Sequence, residues 1–163
     1  MQTLLLFSHT FWDNSKVNKA LLESAKSLPN LTIHNLNTAY PNGTIDVAKE
    51  VELLTKAQKI IFQFPLFWFS TPALMKEWQD RVLTHILYGE NPKLLHGKDF
   101  QIITTLGGSK DSYDGHHGYS LETILSPLTS TFKYCGCNVL ESYAIFSAKA
   151  DSLPTQEYLS LLG

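Results

Sequence analysis

Residues 60–82, IIFQFPLFWFSTPALMKEWQDRV, decide the fold of this chain. The run at residues 60–64 is almost entirely apolar, which is typical of a parallel strand buried on both faces. Pro65 ends this predicted strand. A helix is expected to begin at Pro72, because Ser70 or Thr71 can serve as its N-cap and proline favours the first helical position.

The loop between this strand and helix is unusually apolar: Pro65, Leu66, Phe67, Trp68 and Phe69. Loops are normally polar because their backbone needs water. Three successive aromatic side chains cannot all point into one core. We therefore expect this loop to lie against a flat apolar ligand, such as an isoalloxazine ring, or against a second subunit.

Working outward, the apolar pattern predicts five strands and five helices that alternate along the chain. The strands are predicted at residues 3–7, 31–36, 60–64, 100–106 and 139–146, and the helices at about 16–28, 44–57, 72–84, 121–134 and 154–162. This alternation predicts an α/β fold. We expect one domain, residues 1–163, in the form of a three-layer flavodoxin-like sandwich. Its five-stranded parallel sheet would have the order 2-1-3-4-5, with the alternating second strand at an edge.

In such sheets ligands bind at the carboxyl ends of the strands, where the strand order reverses. Three loops are predicted to meet there, at residues 8–15, 65–71 and 106–119. The loop at residues 8–15 has no phosphate-binding glycine pattern, so a nucleoside-triphosphate or Rossmann dinucleotide site is disfavoured. Hydroxyls, amides and helix N–H groups predict an anion site instead, and its candidates are Ser8, His9, Asn14, Ser15, Lys16 and Asn18. An ordinary helix capped by Asn14 or Ser15 is the alternative.

The third loop contains a glycine pair and several proton-handling groups. Gly107 and Gly108 allow the backbone to approach a ligand closely. Tyr113, His116 and His117 are candidate proton donors, and a surface loop with chance histidines is the alternative. No metal site is expected, because adjacent histidines rarely converge on one ion.

Composition excludes several classes of function. A net charge of −2 argues against nucleic-acid binding and against a basic membrane-binding patch. The only cysteines, Cys135 and Cys137, are expected to be free thiols in a reducing compartment. No signal peptide is recognised, and the 16 uncharged residues from Ile60 to Met75 are too few to span a bilayer. We expect a soluble cytoplasmic protein.

Four motifs together resemble the flavodoxin-like NAD(P)H dehydrogenase (quinone) family. They are SH-x5-S-x2-N at residues 8–18, FPLFWFSTPALMKEWQDRV at 64–82, L-x-GK at 95–98 and TTLGG at 104–108. The family includes quinone reductases, bacterial NAD(P)H oxidoreductases and the ancillary flavoproteins of glutathione-gated potassium efflux systems. The resemblance covers nearly the whole chain, and the central stretch is its most specific part.

This resemblance implies a homodimer with a flavin at the strand ends. His9, Ser15 and Asn18 would contact the phosphate, and Pro65, Leu66, Phe67, Trp68 and Phe69 would lie along the ring. Thr104, Thr105, Leu106, Gly107 and Gly108 would meet its far edge, with Tyr113 and His117 as the catalytic pair. A short C-terminal helix favours FMN over FAD. Two departures are Thr10, where the family often has proline, and VLTHILYG at 82–89 in one pocket wall.

The implied activity is a ping-pong reaction, in which NAD(P)H gives a hydride to the flavin and a quinone-like acceptor then takes it. The alternative is a regulatory flavoprotein subunit that docks on a potassium efflux transporter. A one-electron flavodoxin carrier is disfavoured by the weak negative charge and the histidine-rich loop. The acceptor, and NADH against NADPH, stay open.

Overall fold

The structure is a computed structural model and describes residues 1–116 and 118–163. Within these ranges one parallel sheet is covered by helices on both faces. Its strands are β1 (Thr3–Phe7), β2 (Leu31–Asn35), β3 (Lys59–Pro65), β4 (Asp99–Thr105), β5 (Asn138–Val139) and β6 (Tyr143–Ile145). The order β2-β1-β3-β4-β5, with β6 also paired to β4, confirms the predicted flavodoxin-like topology.

The described helices include all five that the pattern predicts. They are α1 (Val17–Ala25), α2 (Leu36–Ala39), α3 (Val47–Lys56), α4 (Ala73–Trp78), α5 (Thr84–Leu87), α6 (Leu121–Tyr134) and α7 (Thr155–Ser160). A π-helical turn, Gln79–Leu83, joins α4 to α5. The short helix α2 is not predicted by the pattern. It begins at Leu36, which the prediction placed in the second strand.

Two local predictions are wrong. The N-cap of α4 is Pro72 itself, and no side-chain hydrogen bond caps this helix. Pro72 has an extended ψ of 147°, so the helix begins one residue later than predicted. The last predicted strand is broken in two, β5 and β6, and between them the Gln101 side chain donates to the carbonyl of Glu141 (3.0 Å).

The two faces of the sheet have different chemistry. Alternate residues of β3 point to opposite sides. Phe62 packs against Trp78, Phe100 and Phe132 below α4 and α6, and Phe100 stacks on Phe132 with ring centroids 3.7 Å apart. Phe62 and Trp78 are therefore core residues, as the pattern predicts. Gln63 points to the opposite face, which α1 and α7 cover.

A buried carboxylate joins three segments on the aromatic face. Glu50 of α3 is fully buried and accepts hydrogen bonds from Trp78 Nε1 (2.7 Å) and Tyr40 Oη, and its Oε1 lies 2.7 Å from His34 Nε2. Burial alone would raise the pKa of Glu50. The hydrogen bonds from His34, Tyr40 and Trp78 outweigh burial and hold the pKa of this carboxyl below its usual value.

Glu50→Gln should lower the free energy of unfolding at pH 7 by about 2–4 kcal/mol, because it removes a buried acceptor of several donors. The folded-state pKa of Glu50 is depressed, so acid protonates the unfolded chain first. Its contribution is therefore complete above about pH 5 and is lost as the pH falls through the folded-state value. Urea unfolding at pH 7 and at pH 4 measures both effects.

Glu52→Gln is the matched control on the same helix. Glu52 is exposed and, among the described residues, pairs with Lys56 alone (2.6 Å), so this variant should behave almost like the wild type. Equal losses in the free energy of unfolding would show that the buried network stabilises the fold no more than the exposed ion pair does.

Candidate active site

The register of three strands creates the candidate site. Phe7 pairs with Gln63, and Pro65 with Thr105, so β1, β3 and β4 reach the same edge of the sheet. A cavity of about 350 Å³ opens at their carboxyl ends. It is lined by His9, Phe11, Asn14, Ser15, Lys16, Val17, Asn18, Pro65, Leu66, Phe67, Thr105, Leu106, Gly107 and Ala148. The three loops predicted to meet at this edge each contribute to it.

The α1 end of the cavity is rich in hydrogen-bond donors. Lys16 is the N-cap of α1, and its side chain makes no capping hydrogen bond. The alternative in which Asn14 or Ser15 caps the helix is therefore wrong. Backbone N–H groups of the first turn have no intrahelical partner, and the helix dipole favours an anion there.

Ser15 offers an unpartnered polar group to the cavity. Its side chain is buried, yet Ser15 Oγ has no hydrogen-bond partner among the described residues. A buried hydroxyl without a partner costs about 1–3 kcal/mol. Since Ser15 lines the cavity, a polar ligand bound there would satisfy this hydroxyl.

His9 supplies a donor of defined orientation. Its Nδ1 accepts from the backbone N–H of Phe11 (3.0 Å), so a neutral ring carries its hydrogen on Nε2. Burial, and to a lesser degree the charge of Lys19, lowers the pKa of His9 and keeps the ring neutral at pH 7. The ring also packs edge-on against Phe67, with centroids 5.3 Å apart.

The opposite wall of the cavity is apolar. It is formed by Pro65, Leu66 and Phe67, and Phe11 packs against Phe67 with ring centroids 5.9 Å apart. Leu66 is held by a backbone hydrogen bond to Thr105 (3.0 Å). One side of the cavity therefore suits a charged group and the other a flat apolar ring.

Trp68 and Phe69 do not line this cavity. They occupy the two central positions of a tight turn, in which Phe67 and Ser70 exchange backbone hydrogen bonds of 3.0 and 2.9 Å. Both have positive φ, 47° and 62°, as in a type I′ turn, which strongly favours Asn-Gly. Trp68 is 94% exposed and Phe69 is 65% exposed. Their predicted contact with a ring or a second subunit stays a prediction.

Thr104 and Gly108 also lie outside the cavity lining. Thr104 faces the opposite side of the sheet from Thr105, because side chains alternate along a strand, and it donates to the carbonyl of Phe64 (2.9 Å). A Cβ at Gly108 would lie 2.9 Å from Tyr113 Cε2, so a larger residue there would displace the Tyr113 ring from its present position.

Of the predicted catalytic pair, the structure describes Tyr113 alone. Tyr113 is half-buried in a larger neighbouring cavity of about 740 Å³, near Phe146. His117 lies outside the described residues. His116 is exposed, and its Nδ1 lies 2.8 Å from Asp114 Oδ2. The roles of Tyr113 and His117 stay predictions.

The sequence reasoning missed three lining residues. Phe11 lies in the first loop, where its aromatic ring beside His9 was a usable signal. Val17 was assigned to the inward stripe of α1. Ala148 follows β6 and is held by its N–H donating to the carbonyl of Leu106 (3.0 Å), a contact across more than 40 residues that no local pattern reveals.

Among the described residues, no helix is long and apolar enough to cross a membrane. The two cysteines are buried and unpaired, as predicted.

Comparison with known proteins agrees with the fold. The model of a family described by its flavodoxin-like fold matches residues 1–160. The uncharacterised NAD(P)H oxidoreductase YrkL of Bacillus subtilis is 37% identical over 146 residues, which are 88% of this chain and 84% of YrkL. KefF of Salmonella typhimurium, an ancillary protein of a glutathione-regulated potassium-efflux system, is 37% identical over 159 residues, 94% of this chain and 89% of KefF.

A solved structure of general stress protein 14 from Treponema denticola, in complex with FMN, superposes with a TM-score of 0.86 and 30% identity. The superposition covers 98% of this chain and 92% of that protein. A family match over almost the full length, together with relatives of this identity, shows that the chain belongs to the flavodoxin-like family, with an NAD(P)H oxidoreductase among those relatives.

Proposed function

We propose that this chain binds FMN in the cavity at the ends of β1, β3 and β4, and that it passes hydride from NAD(P)H to a quinone-like acceptor in a ping-pong reaction. The observation that carries the proposal is the unpartnered Ser15 hydroxyl beside the uncapped end of α1. The FMN complex of the Treponema denticola relative supports the identity of the ligand.

The residues present suit the two ends of FMN. The phosphate dianion would accept hydrogen bonds from Ser15 Oγ, from His9 and from the first N–H groups of α1, with Lys16 adding positive charge. Asn18 would form part of the wall at this end without donating to the phosphate, since both polar atoms of its amide already bond within the protein. The ring would lie against Pro65, Leu66 and Phe67 and approach Thr105, Leu106 and Gly107.

Bound FMN supplies the hydride chemistry, and the protein supplies position and electrostatics. We assign Tyr113 and His117 the role of hydrogen-bonding the negative charge that develops as hydride arrives. Thr104 and Gly108 would act indirectly, by fixing the strand end and the packing of Tyr113. Trp68 and Phe69 would cover the ring or complete the pocket of a second subunit in a homodimer.

The similarity to KefF supports a second candidate, a regulatory subunit of a glutathione-gated potassium efflux system. Its flavin site would be the same. Binding of the purified chain to a membrane transporter, with altered potassium efflux, would distinguish this role, whereas turnover of a quinone with NAD(P)H alone would favour the enzyme.

Ser15→Ala should weaken FMN binding about 10- to 100-fold, because a hydrogen bond to a charged group contributes about 1.5–3 kcal/mol. Riboflavin, which lacks the phosphate, should bind the variant and the wild type equally. The ligand-free variant should be at least as stable as the wild type, since an unpartnered buried hydroxyl is removed. Fluorescence titration and urea unfolding measure these quantities.

Ser24→Ala is the control, because Ser24 lies on the same helix and its hydroxyl donates only to the carbonyl of Leu21 (2.7 Å). It should leave FMN affinity unchanged. A wild-type protein that binds no flavin would overturn the proposed function.

Replacing Trp68-Phe69 by Asn-Gly should stabilise the ligand-free chain by about 1–2 kcal/mol, because both positions have the left-handed conformation that these residues prefer. The same change should weaken FMN binding or dimerisation, whichever the two aromatic rings serve. Thermal unfolding, FMN titration and sedimentation report the three properties. Tyr134→Asn, which removes an exposed aromatic side chain on α6, is the control. Unchanged affinity and oligomeric state would remove both roles.

The variants Tyr113→Phe and His117→Ala each remove one proposed proton-handling group. Each should slow reduction of the acceptor about 10- to 100-fold. If His117 donates to the reduced cofactor, the wild-type rate should fall as the pH rises through about 6.5, and His117→Ala should abolish this dependence. Stopped-flow measurements across pH would show it. An unchanged rate and pH profile in His117→Ala would exclude that role.

A further inference from the structure

A buried chain of hydrogen bonds crosses the α1–α7 face of the sheet and ends at the cavity. Tyr158 Oη on α7 donates to Gln63 Oε1 (2.8 Å), Gln63 Nε2 donates to Asn18 Oδ1 (3.2 Å), and Asn18 Nδ2 donates to Thr105 Oγ1 (3.0 Å). None of these four residues is more than 5% exposed. Asn18 and Thr105 also line the cavity, whereas Tyr158 and Gln63 do not.

The direction of this chain is fixed at its far end. Tyr158 Oη has Gln63 as its one hydrogen-bond partner among the described residues, and burial raises the pKa of Tyr158 so that it keeps its hydrogen. This buried hydrogen has an acceptor only when Gln63 presents its oxygen, because the reversed amide would offer an N–H in its place. Gln63 must therefore turn its oxygen to Tyr158 and its nitrogen to Asn18. Asn18 is oriented in the same way, with its nitrogen toward Thr105.

The polarity then reaches the ligand site. Because Thr105 Oγ1 accepts from Asn18, its own hydrogen remains available for an acceptor atom in the cavity. Reversing either amide would turn the Thr105 hydroxyl into an acceptor from the ligand side. The energy of a buried polar network can exceed the sum of its individual hydrogen bonds, because each bond orients and polarises the next.

We propose that Tyr158 and Gln63 are positioning residues of the flavin site, which set the direction of this relay so that Thr105 offers a hydrogen to bound FMN. The inference rests on the proposed function and adds two residues, one of them on the C-terminal helix, that touch no ligand themselves. The relay favours a ligand with an acceptor atom at Thr105, as the oxygens and ring nitrogens of a flavin provide.

The test is FMN titration of four variants, each first shown by urea unfolding to be folded. Tyr158→Phe keeps the buried ring but removes the donor, and should raise the Kd about 3- to 10-fold. Gln63→Glu keeps an acceptor for Tyr158 but has no N–H for Asn18, so it should raise the Kd by at least as much. Thr105→Val should weaken binding similarly, while Thr105→Ser keeps the hydroxyl and should restore wild-type affinity.

A double-mutant cycle separates positioning from a general structural effect. Tyr158→Phe should have no further effect on the Kd in the Thr105→Val background, because the relay then has no end group. Tyr143→Phe is the matched control: its hydroxyl also bonds toward α7, to Glu157 Oε2 (2.9 Å), but lies outside the relay. It should bind FMN like the wild type.

The outcomes distinguish the two proposals. A wild type that binds FMN, with Tyr158→Phe indistinguishable from Tyr143→Phe, overturns the relay and leaves the proposed function standing. Additive effects of Tyr158→Phe and Thr105→Val also overturn the relay. A wild type that binds no FMN overturns both.

Discussion

The shared register of β1, β3 and β4 is the constraint on which the site depends. Because parallel strands end at one edge, the pairs Phe7–Gln63 and Pro65–Thr105 bring three loops, far apart in sequence, to one cavity. The same pairing places Gln63 within reach of both α1 and α7. A slip of one residue in β3 would exchange its aromatic and polar faces, which would break the core and the cavity floor together.

The sequence predicted the strand order, the converging loops and most of the cavity lining, because these follow from continuous apolar runs and from loop composition. It did not predict Glu50 as a core residue. Helical periodicity treats a glutamate as exposed, and its partners His34, Tyr40 and Trp78 come from three separate segments. The role of Gln63 was not predicted either, because its hydrogen-bond partners are distant in sequence. Its amide bonds to Asn18 and Tyr158, which are separated from it by 45 and 95 positions along the chain.

The conformation of the exposed aromatic pair was not predictable from the sequence. Trp68 and Phe69 are expected to contact a ring or a second subunit, and the chain holds them in a left-handed turn outside the lining of the cavity. Such a turn favours Asn and Gly, so large aromatic side chains there carry both backbone strain and exposed apolar surface. A sequence that needed only to fold would be more stable without them. This cost is the reason for the proposal that the two rings contact a ligand or a second subunit.

The two faces of the sheet differ in their chemistry. The aromatic side chains around Phe62, Phe100 and Phe132 are fully buried and form an apolar core. The other face carries the hydrogen-bonded relay together with the unpartnered Ser15 hydroxyl, and this hydroxyl reduces the stability of the ligand-free chain. Polar groups can be kept oriented toward a cavity because the strands that carry them are held in place by the apolar core on the opposite face of the sheet. Since alternate residues of β3 and β4 serve the two faces, the packing that stabilises the chain also fixes the geometry of the site.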